Sequence, residues 1–497
     1  DGILFGSDKT GRGEATIAFA FDIKTRKLLW TYQGETLITP TFAVDDGRLY
    51  FVDSSITNEE REKALAGSRR GLAALTGKQK EEAEAALKRA DVRRAICLEA
   101  RTGKVLWRRG VDVTECSGTQ YGAGTLTSIL ADDLFLLCGA SANGHYWKQF
   151  LAGTFDRRRI AALRVKDGGV AWARDIPYRT RPLVVGQRII ADPYAVDLRT
   201  GSFIERTHPI TGRKDRWQFL RGGHHCGAVS GSPNMLFFRA GSTAYYDLSS
   251  DSGVRHFAGH RPGCWINTIP AAGLALIPEA SAGCICNYSI RCTVVLEPRP
   301  KRNPAWAMSA AKGPTTPVRR LAVNLGAPGD HRDADGTLWL AHPRPTPPHY
   351  TRTLELSLDI KPSGKIKTDY TFAKDGSVAT GFGKKGWLFG SGYCGPAPLV
   401  IPLADAATAT PGKWTVRLHL APWPGARRAP GNVDVKLQGQ TVAKGIRIPP
   451  WTAAGKNGLV REFTGISAKD KMTLQLVPSA KGTAALPILG GVELIPH

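Results

Sequence analysis

The stretch AFDIKTRKLLW, Ala20 to Trp30, decides the fold because the chain repeats it. CLEARTGKVLW (Cys97 to Trp107), ALRVKDGGVAW (Ala162 to Trp172) and AVDLRTGSFIE (Ala195 to Glu205) fall on one frame, and YYDLSSDSGVRHF (Tyr245 to Phe257) is a weaker copy. The frame is a small residue, a polar one two places on, Thr or Asp followed by Gly (Arg26 in the first copy), then a run that closes on Trp (Glu205 in the fourth). A Thr-Gly or Asp-Gly pair makes a tight turn between two strands. The closing Trp can bury its ring on the neighbouring unit while its indole N–H finds a backbone acceptor. Between the copies lie strand pairs built around turns, such as FAVDDGRLYFVD, SILADDLFLLCG and AVSGSPNMLFFRAG. Units that cannot bury their own faces stack around a ring, which predicts a β-propeller of about six units over residues 1–300.

The composition agrees with an all-β chain. Of 497 residues, 55 are Gly and 32 Pro, and only one charged segment looks helical. No apolar run reaches the ~18 residues needed to span a bilayer. The opening DGILFGSD has no initiator Met or leader and looks like the inside of a hairpin, as expected of a processed or truncated product. Nine cysteines in such a chain point to an oxidising, extracytoplasmic compartment: secreted, periplasmic or cell-surface. The net charge of +24 is spread over both halves and is not carried by a tail. Dispersed Lys and Arg suit a polyanion, and the expected partners are anionic polysaccharide or cell-envelope components, not nucleic acid.

The repeat frame resembles that of the PQQ-like propellers, the quinoprotein and BamB-type superfamily, over roughly residues 1–298. Residues 224–298 also resemble the last blades of a group of secreted bacterial propeller proteins. The resemblance implies the fold and export. It does not carry PQQ with it, because the calcium ligands, aspartate base and Trp floor of a working quinoprotein have no match here.

Residues 58–94 interrupt the repeat. Asn58 is placed to cap a helix, Glu59, Glu60 and Glu62 suit its first turn, Gly77 breaks it, and a second helix follows. This predicts an inserted helical hairpin, which a protein partner could engage. Residues 301–320 are Pro-rich and irregular, a linker. Residues 321–497 alternate polar and apolar between Gly, Pro and Asp turns, as in a β-sandwich. KWTVRLHLAPW, NVDVKLQGQTVAKGIRI and PILGGVELI in this region resemble a malectin-like domain. That resemblance implies a jelly roll that binds carbohydrate, or one that has lost sugar binding and serves as a clamp. Sugar binding needs flat aromatic faces with polar neighbours, and the candidates are Trp387, Tyr393, Trp423, Arg427 and Arg428.

The cysteines leave three readings open. Cys116 with Cys138, and Cys226, Cys264, Cys284 and Cys286 in consecutive strands, suit disulfides, the preferred reading. His224 and His225 with those four cysteines could instead bind zinc or another transition metal, although Cys-x-Cys is not the common zinc spacing. A catalytic thiol with His224 or His225 as base is the third. The expectation is a non-catalytic binding or scaffold protein. A metal-dependent polysaccharide lyase or hydrolase is the alternative, and a PQQ-dependent dehydrogenase comes third.

Overall fold

The computed structural model describes all residues except 1, 12, 118–124, 141–146, 220, 222–224, 258, 265, 281–291, 299–305, 312, 345–357, 363–368, 373–382, 423–430, 449–457 and 480–486. Strands β1 (Ile3–Ser7), β2 (Glu14–Asp22), β3 (Lys27–Asp45), β4 (Arg48–Asp53), β5 (Val92–Glu99) and β6 (Val105–Asp112) form one antiparallel sheet in chain order. The first two repeat units share it, because the long β3 pairs with β2 at its start and with β4 at its end. The Asp46-Gly47 turn between β3 and β4 has φ of 43° and 67°, the left-handed pair a tight hairpin requires. Smaller antiparallel sheets follow, with four, three, two, four and three strands. Among the described residues these sheets are not seen to close into a ring.

The repeat tryptophans act across units. Trp30 Nε1 donates to Ala100 O at 2.9 Å, Trp107 Nε1 to Val165 O at 2.9 Å and Trp172 Nε1 to Leu198 O at 3.1 Å. Each acceptor lies in the turn of the next copy of the frame. The fourth copy ends on Glu205, and Trp217 takes over the docking, donating to Asp251 Oδ1 at 2.9 Å. All four rings are buried.

Between β4 and β5 rise the helices α1 (Asn58–Leu72) and α2 (Gly77–Lys88). Thr57, not Asn58, caps α1. Its hydroxyl accepts from Glu60 N at 3.2 Å while Glu60 Oε2 accepts from Thr57 N at 3.0 Å, a reciprocal box. Leu65 is the one buried side chain of α1, and α2 has none.

Toward the C-terminus, two sheets of eight and five strands face each other. Val416, Leu418, Val492 and Leu494 of the larger and Val433, Val435, Leu474 and Leu476 of the smaller meet in one core. Val433–Leu437 alternates buried and half-buried residues, as a strand with one face on a core must. One pairing is parallel, Leu321–Leu325 with Leu338–His342. Residues 306–311, within the Pro-rich segment, join both halves. Met308 exchanges backbone hydrogen bonds with Val254 (2.7 and 2.9 Å), and Ala307 does so with Asp330 (2.8 and 2.7 Å). No helix among the described residues is long and apolar enough to cross a membrane.

Candidate functional site

The cysteine-rich segments converge only in part within the described residues. Cys226 and His225 are buried, and Cys264 is half-buried. Asn267 Nδ2 donates to Cys226 O at 3.1 Å and to Ala228 O at 2.9 Å, drawing the two segments together. His224, Cys284 and Cys286 lie outside the described residues. Cys116 and Cys138 are separate, buried thiols and form no disulfide here. Burial pushes both thiols above their ordinary range, so neither is a nucleophile at neutral pH.

A row of buried arginines leads to Cys226 and Cys264. Arg158, Arg179, Arg221 and Arg239 are each 1% exposed, and Asp192 is the buried carboxylate among them. Arg158 Nη1 donates to Tyr178 O (2.8 Å) and Arg179 O (3.1 Å), and its guanidinium lies 4.0 Å from the Tyr178 ring centre. Arg179 Nη2 reaches both oxygens of Asp192, at 2.8 and 3.0 Å, and Arg221 Nη1 reaches Oδ2 at 3.1 Å. Arg221 continues to the carbonyls of Arg239, Cys226 and Gly227 at 3.1, 3.1 and 2.6 Å. Arg239 Nη1 then donates to Pro262 O (3.3 Å) and Cys264 Sγ (3.4 Å).

The electrostatics of this row are one-sided. Burial would raise the Asp192 carboxyl, but Arg179 and Arg221 outweigh it and hold it below the usual range. Burial pulls Arg221 down to about 10 against the attraction of Asp192, so it remains cationic at neutral pH. Arg179 and Arg221 therefore share the one Asp192 carboxylate, and Arg158 adds a third buried guanidinium through the Arg179 carbonyl. Nε and Nη2 of Arg158 are buried with no hydrogen-bond partner among the described residues. A buried charge is stable only when countered, and here backbone carbonyls do most of that work. Such a surround repels a divalent cation and attracts an anion. Among the described residues no three His, Cys, Asp or Glu side chains group closely enough to hold a metal ion.

Sequence reasoning missed these arginines because Arg is normally a surface residue. A signal was present in WQFLRG and MLFFRAG, where Arg221 and Arg239 directly follow apolar strand residues.

The aromatic candidates of the sandwich are packed inside it. Trp387 is 7% exposed, with its ring centre 5.8 Å from Trp339 and 4.3 Å from His331. Tyr393 is 1% exposed and donates its hydroxyl to Ala397 O at 2.9 Å. Neither ring presents an open face on which a sugar could stack. Trp423, Arg427 and Arg428 lie outside the described residues.

No family model matches the chain, and no curated protein does. Solved structures similar to it include BamB from Moraxella catarrhalis, at 12% identity and a TM-score of 0.29, over 54% of this chain and 66% of that one. The ANX2 ectodomain from Arabidopsis thaliana is similar at 18% identity and a TM-score of 0.26, over 36% of this chain and 42% of that one. A Bacteroides uniformis β-glucuronidase is similar at 16% identity and a TM-score of 0.25, over 42% of this chain and 24% of that one. The chain thus spans less than two thirds of each of these structures.

Proposed function

We propose that this is a non-catalytic, extracytoplasmic binding or scaffold protein whose ligand is anionic, with acidic polysaccharide as the class that fits it. In this reading the Trp-docked units form a PQQ-like propeller, joined to a malectin-like jelly roll. The observation that carries the proposal is the run of buried guanidinium groups, Arg179 and Arg221 on Asp192 with Arg158 beside them, two of whose nitrogens have no partner among the described residues. The dispersed surface charge supplies long-range attraction that salt screens. The buried row supplies a fixed counter-charge that salt screens far less.

The test is retention of the full chain on immobilised sulfated and uronic polysaccharides, with soluble polymer assayed in parallel for new unsaturated, ultraviolet-absorbing ends. Retention that fades with salt, no released product, and earlier elution of a folded Arg158→Gln variant support the proposal. Passage without retention at low salt, or unchanged elution of Arg158→Gln, sinks it. Unsaturated ends would instead make the protein a lyase.

A further inference from the structure

A second basic feature lies away from the buried row. The hairpin Glu205–Thr207 with Lys214–Arg216, the turn at Asp251, the joining segment at Ser309 and Ala310, and the start of the sandwich enclose a cleft of about 340 Å³. Both halves of the chain contribute to its walls. Arg206 and His208 come from the first half, and Arg319, Arg320 and Arg332 from the second. A volume of this size falls at the lower end of small-molecule sites, roughly 300–1,000 Å³.

The cleft is cationic and its one lining carboxylate is already engaged. Asp251 Oδ1 accepts from Trp217 Nε1 and the Tyr246 hydroxyl, and stands 3.6 Å from Arg206 Nη1. Arg332 Nη1 donates to Gly336 O at 2.9 Å and Nη2 to Asp251 O at 3.1 Å, while its Nε is buried with no partner among the described residues. Arg320 Nη2 donates to Thr337 Oγ1 at 3.0 Å. The Arg319 main-chain N–H donates to Ile210 O at 2.7 Å, which fixes the backbone across the cleft. The Arg319 side chain is exposed and makes no hydrogen bond among the described residues.

His208 adds a neutral donor. It is 1% exposed, and its Nδ1 accepts from the main-chain N–H of Ile210 (3.3 Å) and Thr211 (3.1 Å). That places the proton of the neutral ring on Nε2, which is buried with no partner among the described residues. Arg206 is partly spent on Ala310 O and Asp251, and Arg320 stands 3.8 Å from Glu493 Oε2, but Arg319, the Arg332 Nε and the spare His208 imidazole N–H remain donors without partners among the described residues. Guanidinium forks match the oxygens of carboxylate, sulfate and phosphate groups.

We infer that this cleft is a discrete site for an oxyanion carried on a sugar-sized molecule, a uronate carboxylate or a sulfate or phosphate ester, bound between the two halves of the chain. The site stands independently of the buried arginine row. Because both halves line it, an occupant that binds only the folded chain also raises the stability of the junction.

The test is calorimetric titration and thermal melting of the full chain with glucuronate, N-acetylglucosamine 6-sulfate, glucose 6-phosphate, inorganic sulfate and inorganic phosphate. At least one sugar acid should bind and raise the melting temperature, more tightly than the inorganic ions do. The exposed position of Arg319 makes Arg319→Ala a variant that folds, and it should weaken binding about tenfold or more. Arg332→Gln should do the same, whereas Arg158→Gln should bind the sugar acid like the parent. The inference is overturned by no binding of any oxyanion, by inorganic ions binding as well as the sugar acids, or by parental affinity in Arg319→Ala. Loss of polymer retention in Arg158→Gln with sugar-acid binding intact supports both proposals. Sugar-acid binding by a chain that no polymer retains leaves this site standing and removes the polysaccharide reading.

Discussion

Arg26, Gly103, Gly168, Gly201 and Asp251 occupy one position of the repeat frame, and all five have positive φ, between 44° and 71°. The turn therefore imposes a left-handed backbone whatever the residue. Glycine appears only where a Trp ring of the preceding unit lies on it. A Cβ would stand 2.7 Å from Trp30 at Gly103, 2.6 Å from Trp107 at Gly168 and 2.6 Å from Trp172 at Gly201. At Asp251 the side chain instead reaches Trp217 Nε1. Gly201→Ala should accordingly cost about 2–4 kcal/mol, adding left-handed strain to a clash with an indole that cannot give way. Arg26→Gly, with no ring above it among the described residues, should change stability by less than ~1 kcal/mol. Urea unfolding midpoints of the two variants check this, and an equal loss in both would mean that the turn alone sets the requirement.

At the level of elements, the helical hairpin is an addition to a sheet that is complete without it. Asp53 and Arg94 face each other across β4 and β5, so the strands on either side of the insertion are already in register. The hairpin is tied to the sheet by Leu65, which clusters with Ala90 and Val92, by the Asp91 main chain bonded to Val113 N and Thr114 Oγ1, and by Glu60 with Arg94 at 2.6 Å. That pair holds the Glu60 carboxyl down to about 2. Replacing residues 55–91 with a short Asn-Gly turn should leave a folded chain within about 2 kcal/mol of the parent. The burial of one leucine, worth ~1.5–3 kcal/mol, is offset in part by a shorter loop to close. Circular dichroism should lose helical signal and keep the strand signal. A chain that no longer folds would show the hairpin to be structural, not an appended arm.

For the whole molecule, histidines held out of water should weaken the fold in acid. Burial holds His208, His256 and His342 down to about 4, with Arg213 adding to the effect at His208 and Arg344 at His342. Between about pH 6.5 and 4 the unfolded chain binds protons at these rings that the folded chain does not, so stability falls as pH falls through that window. A shift of that size corresponds to about 3 kcal/mol per ring at the acid end. Urea midpoints should drop between pH 7 and pH 4.5, and the drop should be smaller in His208→Gln. A flat profile would mean that these rings are hydrated and titrate normally.

The turns and the partnering of Trp30, Trp107 and Trp172 with the next unit were legible in the sequence, because a two-residue turn and one indole are local requirements that recur; Trp217, outside the frame, was not. The alternation of the sandwich strands was legible for the same reason. The arginine row, the inward packing of Trp387 and Tyr393, and the basic cleft were not. Each depends on residues far apart in the chain, such as Arg158 beside Arg179 or Arg206 facing Arg332. Local pattern fixes which way a side chain leaves its strand, but whether that direction leads to water, a core or a shared cleft depends on which segment lies opposite, and only the tertiary structure places that segment.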